Sequence, residues 1–330
     1  MDYEISELAA QLEAEMNPDA MSDDELQGIV GKELEDAIDY ADNYVSPLRA
    51  TATEYYRGDP FGNEEEGRSQ VVSMDVRDTV QAIMPSLMRI FHSTENTVEY
   101  APQGPEDVAA AKQATQYANY IINRDNNGFL HMHAAFKDAL IRKVGILKCY
   151  WDDQTRIETT DLTGLDDAAL AALYADPDAE ISIVASEPIG EPDFDPMTGE
   201  ILPAPMMQSA RVSYTYPDGR VKLEAVPPEE FLISREAKDI TTSDYVAHRR
   251  IVTVSELVAM GYDADEVEGL ASAHDDMNRN VERHTRNPSL INEMNERDDP
   301  AMRKVLYVEK YIKVDYDGDG IAELRKICTA

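Results

Sequence analysis

The chain has 330 residues, 43% of them apolar, with 65 Asp and Glu against 30 Lys and Arg, a formal net charge of −35 and a pI near 4.3. That length and apolar content suffice for one large or two medium domains with a real core. So acidic a surface repels phosphates and excludes sequence-specific DNA recognition unless basic residues gather into a patch.

Residues 1–21 are acidic and poorly patterned and predict a flexible or partner-ordered tail. They hold no basic n-region or apolar h-region, and no stretch of the sequence reaches the ~18 apolar residues of a membrane span. Two distant cysteines, Cys149 and Cys328, lack metal-type spacing and suit synthesis in a reducing compartment. Ser22 and Glu25 form a capping-box signature, and Leu26, Ile29, Val30, Leu34, Ile38 and Ala41 recur at helical spacing, predicting an amphipathic helix that ends near Pro47. Gly58, Pro60, Gly62 and Gly67 then mark an exposed loop. Val76, Val80, Ile83, Met84, Leu87 and Phe91 line a helix that Pro85 is expected to kink or break. Two more helices are predicted over 105–124 and 129–144.

The pattern changes at Gly145. "ILKCYW", "TRIETT" and "EISIVASEPI" read as strands, "LDDAALAALYADP" as a short helix, and "RVSYTY" with "RVKLEAV" as a hairpin closed by Asp218 and Gly219. After a strand at "YVAHRRIV", Thr253 with Glu256 and Asp263 with Glu266 announce two short helices. Residues 271–302 are polar and unpatterned, and the last segment reads as two strand arms around "DYDGDG". The expectation is an α+β fold: a tail over 1–21, a helical region over 22–144, and a mixed, mostly antiparallel β region with short helices over 145–330.

Asp315, Asp317, Asp319 and Gly320 match the first half of a calcium loop, in which alternate carboxylates converge on a hard cation. The second half departs from it, because Lys326 stands where a bidentate Glu belongs and the nearest acid is Glu323. The alternation of Leu306, Val308, Ile312, Val314 and Tyr316 is that of a strand, which favours a plain hairpin turn over a calcium site. His131 and His133, at i, i+2 on a predicted helix, diverge and read as surface residues. No nucleophile elbow, phosphate loop or dinucleotide glycine pattern occurs, so no catalytic residue is assigned and no cofactor beyond calcium is suggested. Arg249 and Arg250, with Arg279 and Arg283, gather basic charge that suits salt bridges to another copy better than a phosphate backbone.

Four separated blocks, "YVSPLRATATEYYRGDPFGNEEEGRSQVVSMDVRDTVQAIMPSLMRIF", "AAFKDALIRKVGILKCYWDD", "VPPEEFLISREAKDITTSDYVAHRRIVTVSELVAMGYDADEVEGL" and "YVEKYIKVDYDGDGIAELRKI", resemble in content and order the portal (head-to-tail connector) proteins of short-tailed, podovirus-type bacteriophages. The resemblance implies a non-enzymatic structural subunit of a homo-oligomeric ring, a dodecamer, at one capsid vertex of the virion, assembled in the host cytoplasm. It implies scaffolding and coat proteins, the terminase motor and tail adaptor proteins as partners, with double-stranded DNA passing through non-specifically during packaging and ejection. It further implies that this stretch is wing-like, and that stem, clip and crown regions would follow residue 330. Two other readings stand beside it: a stand-alone calcium-binding module centred on residues 315–323, and a metal-dependent hydrolase or nuclease built from clustered carboxylates.

Overall fold

The structure, a computed structural model, describes residues 21–330 except 61, 63, 93–95, 189–192, 195–196, 198–200, 203–205, 274–279 and 288–298. The tail expected over 1–21 therefore lies outside the described residues but for Met21, whose N–H donates to the Tyr316 carbonyl at 2.8 Å. The fold is α+β, and the chain divides into two compact units, Met1–Lys148 with Glu224–Ala330, and Cys149–Leu223.

Helix α1 (Asp23–Tyr40) begins on the capping box of Ser22 and Glu25. It does not stop at Pro47. A π turn over Ala41–Val45 follows, closed by the Ser46 N–H on the Ala41 carbonyl, and leads directly into α2 (Ser46–Arg57). The wide turn places Pro47 in the first turn of α2, where its missing N–H leaves no bond unmade. Gly58, at φ 75°, then ends the helix in the left-handed conformation. Helix α3 (Asp75–His92) runs unbroken through Pro85. Helix α4 (Val108–Tyr120) passes through a second π turn and a corner at Asn126–Asn127 into α5 (Gly128–Arg142). Val80, Met84 and Met88 of α3 pack on Ile141 of α5, with Tyr56, Phe136 and Leu140 around them.

In the same unit β8 (Phe231–Ile233), β9 (Tyr245–Thr253), β10 (Lys304–Val314) and β11 (Glu323–Thr329) form an antiparallel sheet in the order β11-β10-β9-β8. Period-2 alternation sends Val308, Ile312 and Val314 of β10 to one face, where they meet Val30 and Ala37 of α1 with Leu232, Tyr245 and Ala247. Val305 and Tyr307 go to the other face and meet Val252, Leu257 and Val267. Leu257 belongs to α7 (Val254–Ala259), which opens on the expected capping box of Thr253 and Glu256, and Val267 to α8 (Ala264–Glu268), which opens on Asp263. Each fully buried Val, Leu or Ile contributes about 1.5–3 kcal/mol, so a sheet covered on both faces anchors this unit. A further helix, α9 (Val281–Arg286), stands where the sequence reads as unpatterned and packs on α2.

The second unit holds β2 (Thr155–Leu165), α6 (Asp167–Tyr174), β3 (Ala179–Pro188) and β6 (Met206–Pro217), with a short pair, β4 (Asp193–Phe194) and β5 (Ile201–Leu202). Its sheet has the order β2-β6-β3, with Ala210 and Val212 buried in its middle strand. Two further strands, β1 (Ile146–Asp152) and β7 (Arg220–Val226), pair with each other. The hairpin expected between β6 and β7 is thus not made: β6 pairs with β2 and β3, and β7 with β1. The Asp218 N–H donates to the Gln154 carbonyl at 2.8 Å, and Gly219 lies so close to the Trp151 ring that a Cβ there would stand 2.5 Å from it. Asp218 and Gly219 form a corner in a long ribbon rather than a hairpin tip.

Gly145 makes the junction from α5 to β1 possible, since a Cβ at this position would lie 2.2 Å from the Ala135 carbonyl oxygen. Gly145→Ala is expected to cost about 1–3 kcal/mol by forcing the backbones apart, measured by urea unfolding. An unchanged midpoint would show that the helix end yields freely.

Candidate functional site

Strand alternation sends Arg249 and Arg250, adjacent in β9, to opposite faces of the sheet. Arg249 points toward the helices and is 1% exposed. Its two terminal nitrogens donate to the Asp42 carboxylate at 2.6 and 3.2 Å, and its Nε donates to the Glu229 carbonyl at 2.9 Å. Asp42 is carried by the π turn between α1 and α2. The Asn280 amide donates to the same carboxylate at 2.8 Å, while its Oδ1 caps α9 by accepting the Arg283 N–H at 2.9 Å. One buried guanidinium thereby joins the α1–α2 junction, β9 and the start of α9.

From α9 the lattice continues. Arg286 donates to both Glu229 carboxylate oxygens at 3.1 Å and to Asp138 of α5, which also pairs with Arg142. Glu282 is wholly buried between Arg142 at 3.3 Å and Arg49 at 3.6 Å, and neither of its oxygens accepts a hydrogen bond. Burial raises its carboxyl to about 7, against the pull of Arg49 and with a push from Glu229. Arg283 lies 3.7 Å from Glu230, which also stands 3.5 Å from His248. Five carboxylates, those of Asp42, Asp138, Glu229, Glu230 and Glu282, thus face the guanidiniums of Arg49, Arg142, Arg249, Arg283 and Arg286. Buried ion pairs return little net stability, but loss of one partner leaves a desolvated charge and costs about 3–5 kcal/mol. Such a lattice fixes how elements meet.

The four arginines singled out by sequence are therefore placed as follows. Arg249 and Arg283 sit in the lattice within the chain, Arg250 lies over the Tyr307 ring at 5.4 Å, and Arg279 falls outside the described residues. His131 and His133 diverge: His131 accepts the Ala225 N–H, while His133 stacks on Phe129. Sequence reasoning passed over Asp42, Asp138, Glu229 and Glu282, since single acids among 65 carry no signal. The Asn280 cap ahead of Glu282 and Arg286 at i, i+4 spacing was the trace that α9 left.

At the far end of β10 the aspartate turn joins two strands, with Val314 paired to Glu323. Asp315 accepts the N–H groups of Gly318 at 2.8 Å and Gly320 at 2.9 Å, Asp317 accepts that of Asp319, and Asp319 that of Ile321 at 2.7 Å. Gly318 at φ 77° and Gly320 at φ 85° adopt the left-handed backbone that this winding requires. The same winding gathers one oxygen each from Asp315, Asp317, Asp319 and Glu323 within 4.8 Å of one another. Hairpin and convergent acids coexist. Lys326 pairs instead with Glu309 at 2.9 Å. Among the described residues this turn is the one grouping of acids, His or Cys that converges as a metal site does, and a single turn supplies it where the hydrolase reading needs separate elements.

Glu309, on the sheet face opposite α1, is held by Lys148, Tyr311 and Lys326. Burial raises its carboxyl, but those three hydrogen bonds outweigh burial and draw the pKa down to about 2 from an ordinary 4.5. A carboxyl depressed on folding stabilises fully above its unfolded pKa and loses that contribution as pH falls through the folded one. Glu309→Gln is accordingly expected to lose about 3 kcal/mol at pH 7, with the gap to the parent closing between pH 4.5 and 2. Urea titrations at stepped pH measure it, and a gap independent of pH would contradict the assignment.

Among the described residues no helix is long and apolar enough to cross a membrane. A search of curated proteins finds no match to the chain. The model of the phage SU10 portal protein family matches residues 26–330, a span that runs from the first turn of α1 through β11 and takes in the ionic lattice and the aspartate turn. The role that this match supports is structural, in a phage portal at the capsid vertex. The chain belongs to the phage SU10 portal protein family.

Proposed function

We propose that the chain is a subunit of a closed dodecameric ring that conducts double-stranded DNA into the capsid during packaging and out during ejection, and that bears the tail. The family match over residues 26–330 carries this reading. Two physical features support it. A net charge of −35 favours passage of DNA without binding, since attraction at each phosphate would retard a sliding duplex. A buried lattice that locks helices to sheet suits a subunit that must keep one shape while DNA is driven past it. Partners on this reading are the terminase motor, scaffolding and coat proteins and tail adaptors, and the chain itself is not an enzyme.

Electron microscopy of the product of the full reading frame, expressed alone, tests the proposal. Closed rings with a central channel are expected. A monodisperse monomer at micromolar concentration would overturn the ring.

A second reading is favoured by one observation, the convergence of Asp315, Asp317, Asp319 and Glu323 within 4.8 Å: the turn takes a calcium ion. Calorimetry is expected to show calcium binding that Asp315→Asn with Asp319→Asn abolishes. An absence of heat at millimolar calcium would leave the turn as a hairpin held by its own backbone bonds.

A further inference from the structure

The end of α1, the π turn, α2 and the end of α5 enclose a cavity of about 370 Å³ in the larger unit. Tyr40, Tyr44 and Leu48, four residues apart, supply its apolar wall, and Leu48 is 65% exposed. Arg49, Arg142 and Lys143 supply its charge, and no acid lines it, although acids outnumber bases 65 to 30 in the whole chain. Two of these cations are already engaged: Arg142 pairs with Asp138, and Arg49 and Arg142 flank Glu282. Lys143 is exposed and has no ion-pair partner among the described residues. The guanidinium of Arg235, which likewise lacks a carboxylate partner among them, lies over the rings of Tyr40 at 5.9 Å and Tyr44 at 5.4 Å. Since the lattice matches five arginines to five acids, Lys143 is surplus positive charge at the cavity. Lys143 also ends α5 at φ 70°, in the left-handed region where glycine or asparagine sits more easily. A lysine held there beside an apolar wall suits a carboxylate carried next to an apolar side chain.

Residues 1–20 carry that chemistry. They hold Asp2, Glu4, Glu7, Glu13, Glu15 and Asp19 with no Lys or Arg, and two leucines stand next to acids, Leu8 after Glu7 and Leu12 before Glu13. Their point of attachment is fixed, because the Met21 N–H is bonded to the Tyr316 carbonyl just ahead of α1. Tyr40, the last residue of α1, lies one helix length from there, about 27 Å for 18 residues. Twenty extended residues span up to about 66 Å, so the segment reaches the cavity of its own subunit with slack. Tethering presents it there at an effective concentration of about a millimolar. We propose that this cavity is the docking site of residues 7–13 of the same chain, with a leucine against Tyr44 and Leu48 and a carboxylate on Lys143. The docking goes beyond the ring reading and does not depend on it. The partner that orders the acidic tail is then the chain's own α2–α5 cleft.

The test follows amide hydrogen exchange of residues 1–20 in the full chain by mass spectrometry, for the parent and for Lys143→Glu. Exchange slowed roughly tenfold against a free peptide of the same sequence is expected in the parent, and the slowing is expected to vanish in the variant. Adding Glu7→Lys and Glu13→Lys to Lys143→Glu is expected to restore it. Exchange in the parent as fast as in the free peptide would overturn the docking, as would slowing that Lys143→Glu leaves unchanged or a lack of rescue by the reversed charges. Circular dichroism checks that the variants keep the parent fold; should they not, carbodiimide coupling on mixed isotope-labelled and unlabelled parent chains decides. Lys143 joined to an acid of residues 1–20 within one chain supports the docking. Lys143 left without such a link, or linked only between differently labelled chains, overturns it.

Discussion

Arg249 is the constraint on which the larger unit depends. A guanidinium removed from water is costly unless it is paired and hydrogen-bonded, and the partners of Arg249 come from three separate places: Asp42 in the π turn, the Glu229 carbonyl before β8, and, through Asp42, the Asn280 cap of α9. That requirement explains two features that propensity alone would not favour. The π turn over Ala41–Val45 carries Asp42 opposite β9, and the short polar helix α9 exists because its cap and its Glu282, Arg283 and Arg286 complete the lattice. Apolar burial holds α1 to the sheet, but it is the ionic lattice that specifies the register of α2, α5 and α9 around it.

The same lattice shapes the electrostatics of the exterior. Five of the 30 basic residues are drawn inward against five of the 65 acids, so the charges left outside are still more one-sided. The acids that remain are then sorted. They line α1 and crowd the turn at residues 315–323, while α3 and α5 stay close to neutral and keep apolar side chains in water. On the ring reading proposed above, in which DNA passes the subunit, this division suits a surface that repels phosphate over most of its extent.

The aspartate turn shows how one motif serves two physical demands. Alternate carboxylates accept backbone N–H groups and wind the turn, with Gly318 and Gly320 supplying the backbone angles. Winding by alternate residues also directs their oxygens to a common centre, because residues two apart in a tight loop face the same side. The sequence posed a choice between hairpin and cation site; in the structure strands flank the turn and its acids converge.

The sequence by itself determined the elements whose signals are local. The capping boxes at Ser22 and Thr253, the period-2 pattern of β10 and the change from helix to strand at Gly145 each reside within a few residues and stand in the structure as read. Blocks such as "YVEKYIKVDYDGDGIAELRKI" also pointed to the family that the match identifies. Tertiary structure alone decided what depends on distant partners. Pro47 and Pro85 look like helix breakers, yet a π turn absorbs the first and α3 runs through the second. Asp218 and Gly219 carry a hairpin signal, but Gln154 and Trp151 claim them for a corner. Arg249 looked like an exposed basic residue until Asp42, 207 positions away, enclosed it. The reason is common to all three: a turn, a cap or an alternating strand is stabilised by neighbours in sequence, whereas a buried charge or a strand's choice of partner is stabilised only by residues that folding itself brings near.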